Sequence, residues 1–273
     1  MPELPEVETV KNTLKSKLQN RTIKKVTVYH DNIIEYPDAS LFCKQLINQQ
    51  ILDMNRYGKW LIFVLDDYYL LSHLRMEGKY FFKQPEEELN KHEHVVFLLD
   101  DNTELRYMDV RKFGKMHLIK KEEIEKKGPF LKMGLEPWDD KLTINYLKEK
   151  YQKKKLPIKT VLLDQSIIVG IGNIYANEIL FLSGISPLQS ANSLTDASLI
   201  KITQHTRQVL EKAIQQGGTT IRTYTSVDGV HGLFQQQLNV HGREGETCPT
   251  CQNIILKIKV GGRGTYYCPT CQK

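Results

Sequence analysis

Met1-Pro2-Glu3-Leu4-Pro5-Glu6 opens the chain, and these residues combine a helix start with a potentially reactive amine. Initiator methionine is commonly removed before a small residue, so we expect the mature chain to begin at Pro2. A terminal amine titrates at about 7.7–8.0, so part of it is neutral at pH 7. A neutral amine can attack a carbonyl carbon to form a Schiff base, and Glu3 is close enough in sequence to move protons. An ordinary helix start, with Pro5 and acidic residues in the first turn, is the alternative.

Hydrophobic periodicity predicts the architecture of the first half of the chain. Val7, Val10, Leu14 and Leu18 recur at helical spacing and predict an amphipathic helix of about four turns. Short alternating stretches then predict β-strands and one short helix, and many short strands at this spacing favour a β-sandwich. The predicted strands span residues 23–29, 51–56, 60–65, 68–73, 80–83, 94–99, 104–109 and 115–119, and the short helix spans 40–48.

The second half of the chain has a helical pattern. Residues 126–140 are rich in glycine and proline and predict a linker between domains. Helices are predicted at 144–151, 158–164, 174–182 and 194–216, followed by a long polar loop at 219–246. We therefore expect an α+β protein with a catalytic β-sandwich domain at 1–132, a linker at 133–141, a helical domain at 142–235 and a hairpin unit at 236–273.

Composition narrows the class of protein without deciding it. The chain has 273 residues and a net charge of +6, from 38 basic and 32 acidic residues. This mild basic excess is compatible with a polyanionic partner such as nucleic acid. There is no apolar run of about 18 residues to form a transmembrane helix. The N-terminus is acidic and lacks an apolar h-region, so we expect no secretory signal. We expect a cytoplasmic protein.

Four cysteines near the C-terminus form the most specific local motif. Their spacing is Cys248-x2-Cys251-x16-Cys268-x2-Cys271, and two such knuckles are typical of structural zinc in a closed tetrahedral site. A β-hairpin around residues 261–264 is predicted between the knuckles, and its small core would depend on the metal for folding. Two redox dithiols are the alternative. Cys43 stands alone and is expected to be a buried small hydrophobe.

Three further stretches suggest contacts to phosphate. Gly170-Ile171-Gly172-Asn173 precedes a predicted helix with Asn173 as its N-cap, which would present free backbone N–H groups to an anion. Lys59 lies at a predicted hairpin turn, and Arg263 lies at the tip of the C-terminal hairpin between glycines. For each stretch the alternative is a capped helix or a solvated side chain with no ligand.

The stretch Pro2-Glu3-Leu4-Pro5-Glu6-Val7-Glu8-Thr9 resembles the N-terminus of the bacterial formamidopyrimidine-DNA glycosylases. The resemblance recurs at residues 170–178 and in the cysteine knuckles, and it covers nearly the whole chain. It implies a bifunctional DNA glycosylase and AP lyase that removes 8-oxoguanine and ring-opened purines through a Schiff base on Pro2, followed by β- and δ-elimination. The implied partner is double-stranded DNA with oxidised bases, and the implied cofactor is one structural Zn²⁺. We expect a monomer with no membrane partner and no small-molecule cofactor.

The resemblance also assigns roles to individual residues. The implied catalytic group is Pro2, Glu3, Lys59 and Arg263. Asn173, Lys159 and His92 match residues that bind the DNA backbone. The side chains that fill the gap left by an extruded nucleotide are Met76, Arg111 and Phe113, with Arg111 reading the orphaned cytosine.

Contacts to the extruded base are expected from Glu77 and from the loop 219–226, which includes Tyr224. Glu178 matches a structural or catalytic carboxylate near the amine. The chain departs from the family pattern at His241, where a tyrosine usually contacts a phosphate. An imidazole has a shorter reach and a pH dependence, so a phosphate contact by His241 stays open.

Two other functions compete with this interpretation. A sister glycosylase for oxidised pyrimidines shares the Pro-Glu start, the helical motif and the zinc hairpin, but Leu4 and the set Met76, Arg111 and Phe113 argue against it. A non-catalytic damaged-DNA-binding protein on the same scaffold is the other, and the presence of Pro2, Glu3 and Lys59 argues against that.

Overall fold

The N-terminal helix predicted from the sequence is present as α1, Leu4–Leu18, in the computed structural model, which describes residues 1–219 and 234–273. Its apolar stripe of Val7, Val10, Leu14 and Leu18 is fully buried. Because this stripe packs into the core of the first domain, the helix is held along its whole length. The terminus that precedes it is therefore anchored rather than frayed.

The described residues divide into two compact units. The first comprises Met1–Leu131 together with Thr219, and the second comprises Lys132–Gly218 together with residues 234–273. In these described ranges, no helix combines the length and apolarity that crossing a membrane requires.

The first unit contains two β-sheets. Its strands in chain order are β1 (Ile23–Val28), β2 (Ile34–Tyr36), β3 (Ile51–Tyr57), β4 (Trp60–Leu65), β5 (Tyr68–His73), β6 (Lys79–Lys83), β7 (Glu93–Leu99), β8 (Glu104–Met108) and β9 (Lys115–Lys120). In the described chain one sheet has the order β2-β9-β5-β4-β3 and the other the order β1-β7-β8-β6. The β2–β9 pair is parallel, and the other pairs are antiparallel.

The two sheets enclose one hydrophobic core. Phe63 from one sheet and Phe97 and Tyr107 from the other belong to the same buried cluster, with Val10 of α1 and Phe42 of a second helix, α2 (Ala39–Leu46). The predicted β-sandwich is therefore confirmed. Both helices add their apolar faces to its core.

The strand predictions agree with the structure to within one residue at most ends, and β2 was not predicted. It is only three residues long and is followed at once by Pro37, so it is too short to show an alternating pattern. Its pairing with β9 is remote in sequence, and tertiary structure therefore decides that it forms.

The second unit is built from helices. They are α3 (Ile144–Tyr151), α4 (Ile158–Leu162), α5 (Asn173–Ser183) and α6 (Asp196–Gln215). Thr143 and Thr195 cap α3 and α6 through their hydroxyl groups, and α5 ends at Gly184 in the left-handed region. All four predicted helices are confirmed, although α4 ends two residues earlier than expected.

A C-terminal hairpin completes the second unit. Its strands are β10 (Leu256–Val260) and β11 (Arg263–Tyr267), and they pair antiparallel. Ile255 at its base packs with Phe181 of α5 in a small buried cluster that includes Cys248 and Cys268. The hairpin is thereby seated on the helix that follows the glycine-rich turn.

A buried arginine stabilises one wall of the sandwich. The Arg106 guanidinium is 2% exposed, and it donates to the carboxylates of Glu93 and Glu104 and to three backbone carbonyls between residues 84 and 88. Residues 84–93 are therefore fastened to β8 by one cation. Removing a single partner of such a group leaves buried charges uncompensated.

Replacing Arg106 with leucine is expected to lower the free energy of unfolding by about 3–5 kcal/mol, because Glu93 and the carbonyls lose their donor. Urea denaturation measures the loss. The matched control is Lys83→Met, which breaks the exposed Lys83–Glu87 pair and is expected to cost less than about 1 kcal/mol. Equal losses in the two variants would contradict a stabilising role for the buried arginine.

Candidate functional site

The amine at the start of the chain lies in a partly buried, highly charged environment. Burial lowers the pKa of the Met1 amine below its ordinary value, and the nearby Lys59 ammonium lowers it further. The carboxylates of Glu3, Glu6 and Glu77 act in the opposite direction without cancelling the decrease. A larger fraction of the amine is therefore neutral near pH 7 than for a solvated terminus. The structure thus places Glu3, Lys59 and Glu77 near the terminus.

The backbone of the terminus is fixed by a capping box at the start of α1. Glu3 is the N-cap residue; its backbone N–H donates to Glu6 Oε2 at 2.8 Å, and its side chain accepts from the Glu6 backbone N–H. The other oxygen, Glu6 Oε1, accepts from Thr219 N at 2.8 Å and from Thr219 Oγ1 at 3.0 Å. Glu3 and Glu6 are each only 2% exposed. The Glu3 carboxylate is thereby held beside the amine.

Lys59 occupies a two-residue turn between β3 and β4. Tyr57 and Trp60 pair across it, and Gly58 has φ 56°, which a two-residue hairpin turn requires and glycine adopts without strain. The predicted turn position of Lys59 is confirmed. The side chain is 6% exposed, so it is not the solvated lysine that most turns carry.

His73 lies next to this turn and was not singled out from the sequence. Its ring packs edge-on against Trp60 with centroids 4.9 Å apart, and its Nδ1 accepts from the Arg75 backbone N–H at 2.9 Å. Burial, together with the charges of Arg75 and Lys59, lowers the pKa of His73 to about 3. The imidazole is therefore neutral near pH 7, and it packs beside the turn that carries Lys59.

Two loops of the first unit meet at Tyr107. A Cβ atom built on Gly78 would lie 2.3 Å from the Tyr107 hydroxyl oxygen, and one built on Gly114 would lie 1.7 Å from it. Only glycine fits at these two positions. The loop that carries Met76 and Glu77 and the loop that carries Arg111 and Phe113 are therefore neighbours.

Asp109 organises the second of these loops. Its carboxylate accepts from the backbone N–H groups of Arg111 at 3.0 Å and Gly114 at 2.7 Å. Its own N–H donates to His92 O at 2.9 Å, and its carbonyl lies 2.9 Å from His94 Nε2. Asp109 is completely buried. One residue thus gathers the backbone of His92 and of Arg111, and it was missed because its contacts with His92 and His94 come from a segment remote in sequence.

The gap-filling residues predicted from the sequence present different surfaces. Phe113 is 49% exposed, and the Arg111 guanidinium lies over its ring at 4.7 Å. Met76 is half-buried. An exposed phenylalanine stacked with an arginine is unusual for a core residue, so the alternative of a core role does not apply to Phe113.

His92 is half-buried, and its Nδ1 has no hydrogen-bond partner in the described part of the chain.

In the second unit, residues 163–172 make a double turn between α4 and α5. Gln165 holds it together: Oε1 accepts from Gly170 N at 2.8 Å, and Nε2 donates to Ile171 O at 2.9 Å. Gly134 packs against the same turn, where a Cβ would lie 2.2 Å from Ile167 O. The start of α5 is therefore rigidly placed.

The side chain of Asn173 does not act as the predicted N-cap. Gly172 is the N-cap residue, and Asn173 is the first residue of α5. The side-chain amide of Asn173 instead donates to Gly264 O of the hairpin at 3.0 Å. Asn173 therefore joins the helix start to the C-terminal hairpin.

Lys159 is fully buried on α4. Its ammonium donates to Asn173 O at 3.0 Å and to the side-chain oxygen of Asn177. The Asn177 amide in turn lies 2.7 Å from His241 Nδ1. Burial and the charge of Lys159 lower the pKa of His241 to about 4. His241 is therefore neutral at physiological pH, and a contact between Lys159 and phosphate stays a prediction.

Glu178 has a structural environment. Its two carboxylate oxygens accept from the backbone N–H groups of Asn239, Val240 and His241, at 2.8–3.0 Å, and from the Asn239 side chain. It is 1% exposed. The carboxylate thus fixes the segment that leads into the first cysteine knuckle.

The four predicted zinc ligands converge at the base of the hairpin. The sulfur atoms of Cys248, Cys251, Cys268 and Cys271 all lie within 4.8 Å of one another. Two pairs are separated by 3.9 and 3.4 Å, whereas a regular tetrahedron with Zn–S bonds of ~2.3 Å places its sulfurs about 3.8 Å apart. The cluster fits one structural zinc ion.

Arg263 is exposed at the first position of β11 and does not lie at the tip of the hairpin. The turn itself consists of Gly261 and Gly262, with φ 55° and 76°, the conformation that a tight two-residue hairpin needs. A Cβ on Gly261 would also lie 2.6 Å from Thr160 Oγ1 of α4.

Tyr224, which was predicted to contact the extruded base, lies outside the described residues.

Comparison with known proteins gives matches along the chain. Residues 1–116 match the formamidopyrimidine-DNA glycosylase N-terminal domain, 133–225 the H2TH domain of that enzyme, and 245–273 a zinc finger found in FPG and IleRS. The formamidopyrimidine-DNA glycosylase of Bacillus cereus is 48% identical over 266 residues, with 97% of this chain and 96% of that protein covered. The Bacillus subtilis protein of the same name is 46% identical over 97% of this chain and 96% of that protein.

Solved structures agree with these relatives. The Lactococcus lactis Fpg in complex with DNA containing an abasic site has a TM-score of 0.92 at 37% identity, and the match covers 99% of each chain. A structure of MutM in complex with DNA containing carbocyclic 8-oxo-G has a TM-score of 0.92 at 38% identity and full coverage of both chains.

The lowered pKa of His73 predicts a pH dependence of stability. The unfolded chain takes up a proton on this histidine below pH ~6.5, whereas the native protein does not until about pH 3. Native stability therefore falls as the pH falls through that window. His73→Asn is expected to reduce the slope between pH 6 and 5 by about 1 kcal/mol per pH unit, measured by urea denaturation. Identical slopes in the two proteins would show that His73 titrates freely when folded.

Loss of one zinc ligand should unfold the hairpin locally. Cys251→Ser is expected to lose the metal, because three thiolates no longer close the tetrahedron. Metal content by mass spectrometry and hydrogen exchange of β10 and β11 measure the effect. Cys43→Ala is the matched control and should retain both zinc and amide protection. Full protection of the hairpin in the zinc-free variant would refute a structural role for the ion.

Proposed function

This chain belongs to the formamidopyrimidine-DNA glycosylase family, and we propose that it is a bifunctional DNA glycosylase and AP lyase acting on oxidised purines in base excision repair. The observation that carries the proposal is the terminal amine. In the structure, which retains Met1, the Met1 amine is partly buried, has a lowered pKa and lies among Glu3, Lys59 and Glu77; removal of Met1 would leave the Pro2 nitrogen one residue from this position. A neutral nitrogen beside a carboxylate and an ammonium has the groups needed for amine attack with proton transfer.

The reactive amine is that of Pro2. Removal of Met1 exposes the secondary nitrogen of Pro2, which is the nucleophile. Its lone pair attacks C1′ of the damaged nucleotide, and the electron pair of the glycosidic bond leaves with the base. The Glu3 carboxylate takes up the proton lost from the nitrogen and delivers it to the sugar ring oxygen as the C1′–O4′ bond opens to the iminium. The departing base takes its proton from water.

Strand cleavage follows from the iminium. Loss of a proton from C2′ expels the 3′ phosphate in β-elimination, and loss of a proton from C4′ expels the 5′ phosphate in δ-elimination. Lys59 contributes an ammonium that stabilises negative charge on the phosphate of the lesion nucleotide. No metal takes part in these steps, because the four zinc ligands leave the ion no open position.

Residues outside the chemistry hold the DNA. We assign Met76, Arg111 and Phe113 to the gap left by the extruded nucleotide, and the exposed Arg111–Phe113 stack supports this assignment. His92, Asn173 and Lys159 are assigned to the DNA backbone, and Glu77 and Tyr224 to the extruded base. Arg263 stays with the catalytic group, as the arginine that enters the duplex beside the lesion.

The domain division follows this assignment. We assign catalysis to the domain at residues 1–132, and DNA binding to the helical domain at 142–235 and the zinc hairpin at 236–273. We also propose that the protein acts in the cytoplasm, and DNA as its substrate supports this.

Borohydride trapping tests the mechanism directly. With a duplex containing 8-oxoguanine opposite cytosine, reduction is expected to join enzyme and DNA covalently, and peptide mapping should place the DNA on residue 2. Glu3→Gln is expected to slow trapping about 100-fold or more. A duplex with thymine glycol is the comparison for the oxidised-pyrimidine alternative. An intact mass that retains Met1, or a protein that never crosslinks, would refute the proposal.

A further inference from the structure

Arg56 joins two segments that meet at the terminal amine. Its Nε donates to Glu8 Oε2 at 2.8 Å, and its Nη1 donates to Gly58 O at 3.0 Å. Glu8 lies on α1, two turns from the terminus, and Gly58 is the first residue of the turn that carries Lys59. The Arg56 side chain is 9% exposed and that of Glu8 is 17% exposed, so water competes weakly with either contact.

The shape of the guanidinium makes this link rigid. Its donors lie in one plane at fixed angles, so two simultaneous acceptors are held at a set separation. Burial raises the pKa of the Glu8 carboxyl, but hydrogen bonds from Lys11 and Arg56 lower it more, and the net pKa is below its ordinary value. Glu8 therefore stays ionised and keeps the charge-assisted contact at neutral pH.

We infer that Arg56 is a positioning residue, which fixes the Gly58-Lys59 turn against α1 and so holds the Lys59 ammonium beside the terminal amine. The inference deepens the proposed function and rests on it, because the separation of Lys59 from the amine matters only if that amine is the nucleophile. Arg56 thus acts on the amine through the position of Lys59.

The link has an electrostatic consequence. The charged groups that act on the Met1 amine, next to which the Pro2 nitrogen lies, are Glu3 at the N-cap of α1, Glu6 within α1, Lys59 of the turn and Glu77 after β5. Lys59 is the cation among them, so its position controls how far the amine is shifted toward the neutral form. If the turn moves away when Arg56 is lost, the pKa of the amine rises and less of it is neutral at pH 7.

The test measures the pKa of the amine itself. In protein labelled with ¹³C- and ¹⁵N-proline, the terminal proline is the one whose signals titrate, and NMR follows it without DNA. Arg56→Gln is expected to raise the pKa of the amine by about 0.5–1. Borohydride trapping at pH 6.5 should slow correspondingly, by about three- to tenfold, at saturating DNA. Arg56→Lys, which keeps the charge, is expected to fall between the wild type and Arg56→Gln.

Two variants separate positioning from simple charge. Glu8→Gln removes a negative charge, which alone would lower the pKa of the amine, but it also frees Arg56 from α1, which on this inference raises the pKa. In a Lys59→Met background the effect of Arg56→Gln should disappear, to within about 0.2, because the residue through which it acts is gone. Lys11→Met is the matched control: it removes the other partner of Glu8 and should leave the pKa within about 0.2 of the wild type.

The outcomes are distinct. An unchanged amine pKa in Arg56→Gln, a decrease in Glu8→Gln, or an undiminished effect without Lys59 would overturn the inference while leaving the proposed function in place. A wild type with no titrating proline would instead refute the proposed function. Thermal melts and the hydrogen exchange of α1 show whether each variant is folded, and a variant whose α1 amides are protected counts as a valid test.

Discussion

The first unit depends on the buried carboxylate of Glu6. Its two oxygens accept from Glu3 N, Thr219 N and Thr219 Oγ1, so a single ionisable side chain determines the path of the chain ahead of α1. Chain termini are disordered unless they are tied down, and a terminal nucleophile needs a fixed direction of attack. The capping box, which in most helices only adds stability, is here the device that gives the amine its place among the charged groups.

The side chains that we assign to DNA binding and chemistry lie largely on turns and loops, and other residues hold those turns in place. Asp109 and Tyr107 bring together the loops of Met76, Arg111 and His92, and Arg56 reaches from β3 to the turn of Lys59. The holding residues are buried, whereas Phe113 and Arg111 are exposed. The rigid β-sandwich can thus present long, exposed side chains to DNA while the loops that carry them keep fixed relative positions.

In the second unit, polar side chains and a glycine hold the start of α5. Gln165 and Gly134 fix the double turn before α5, and Asn173 ties the start of that helix to the hairpin. The hairpin has only a small apolar cluster at its base, and the four thiolates supply the remaining constraint through zinc. Helix start and hairpin are therefore one rigid surface, which suits backbone contacts to DNA.

The sequence by itself determined the features that depend on local spacing. Alternation and helical periodicity gave the strands and helices to within a residue or two, the cysteine spacing gave the zinc site, and the turn at Gly58-Lys59 was predicted correctly. Only the tertiary structure decided the contacts between remote positions. Examples are Glu8 with Arg56, Asn173 with Gly264 in place of a helix cap, and Lys159 buried against Asn177. The physical reason is that a hydrogen bond between side chains far apart in sequence leaves no periodic signal, and burial is a property of the packed chain rather than of the residue.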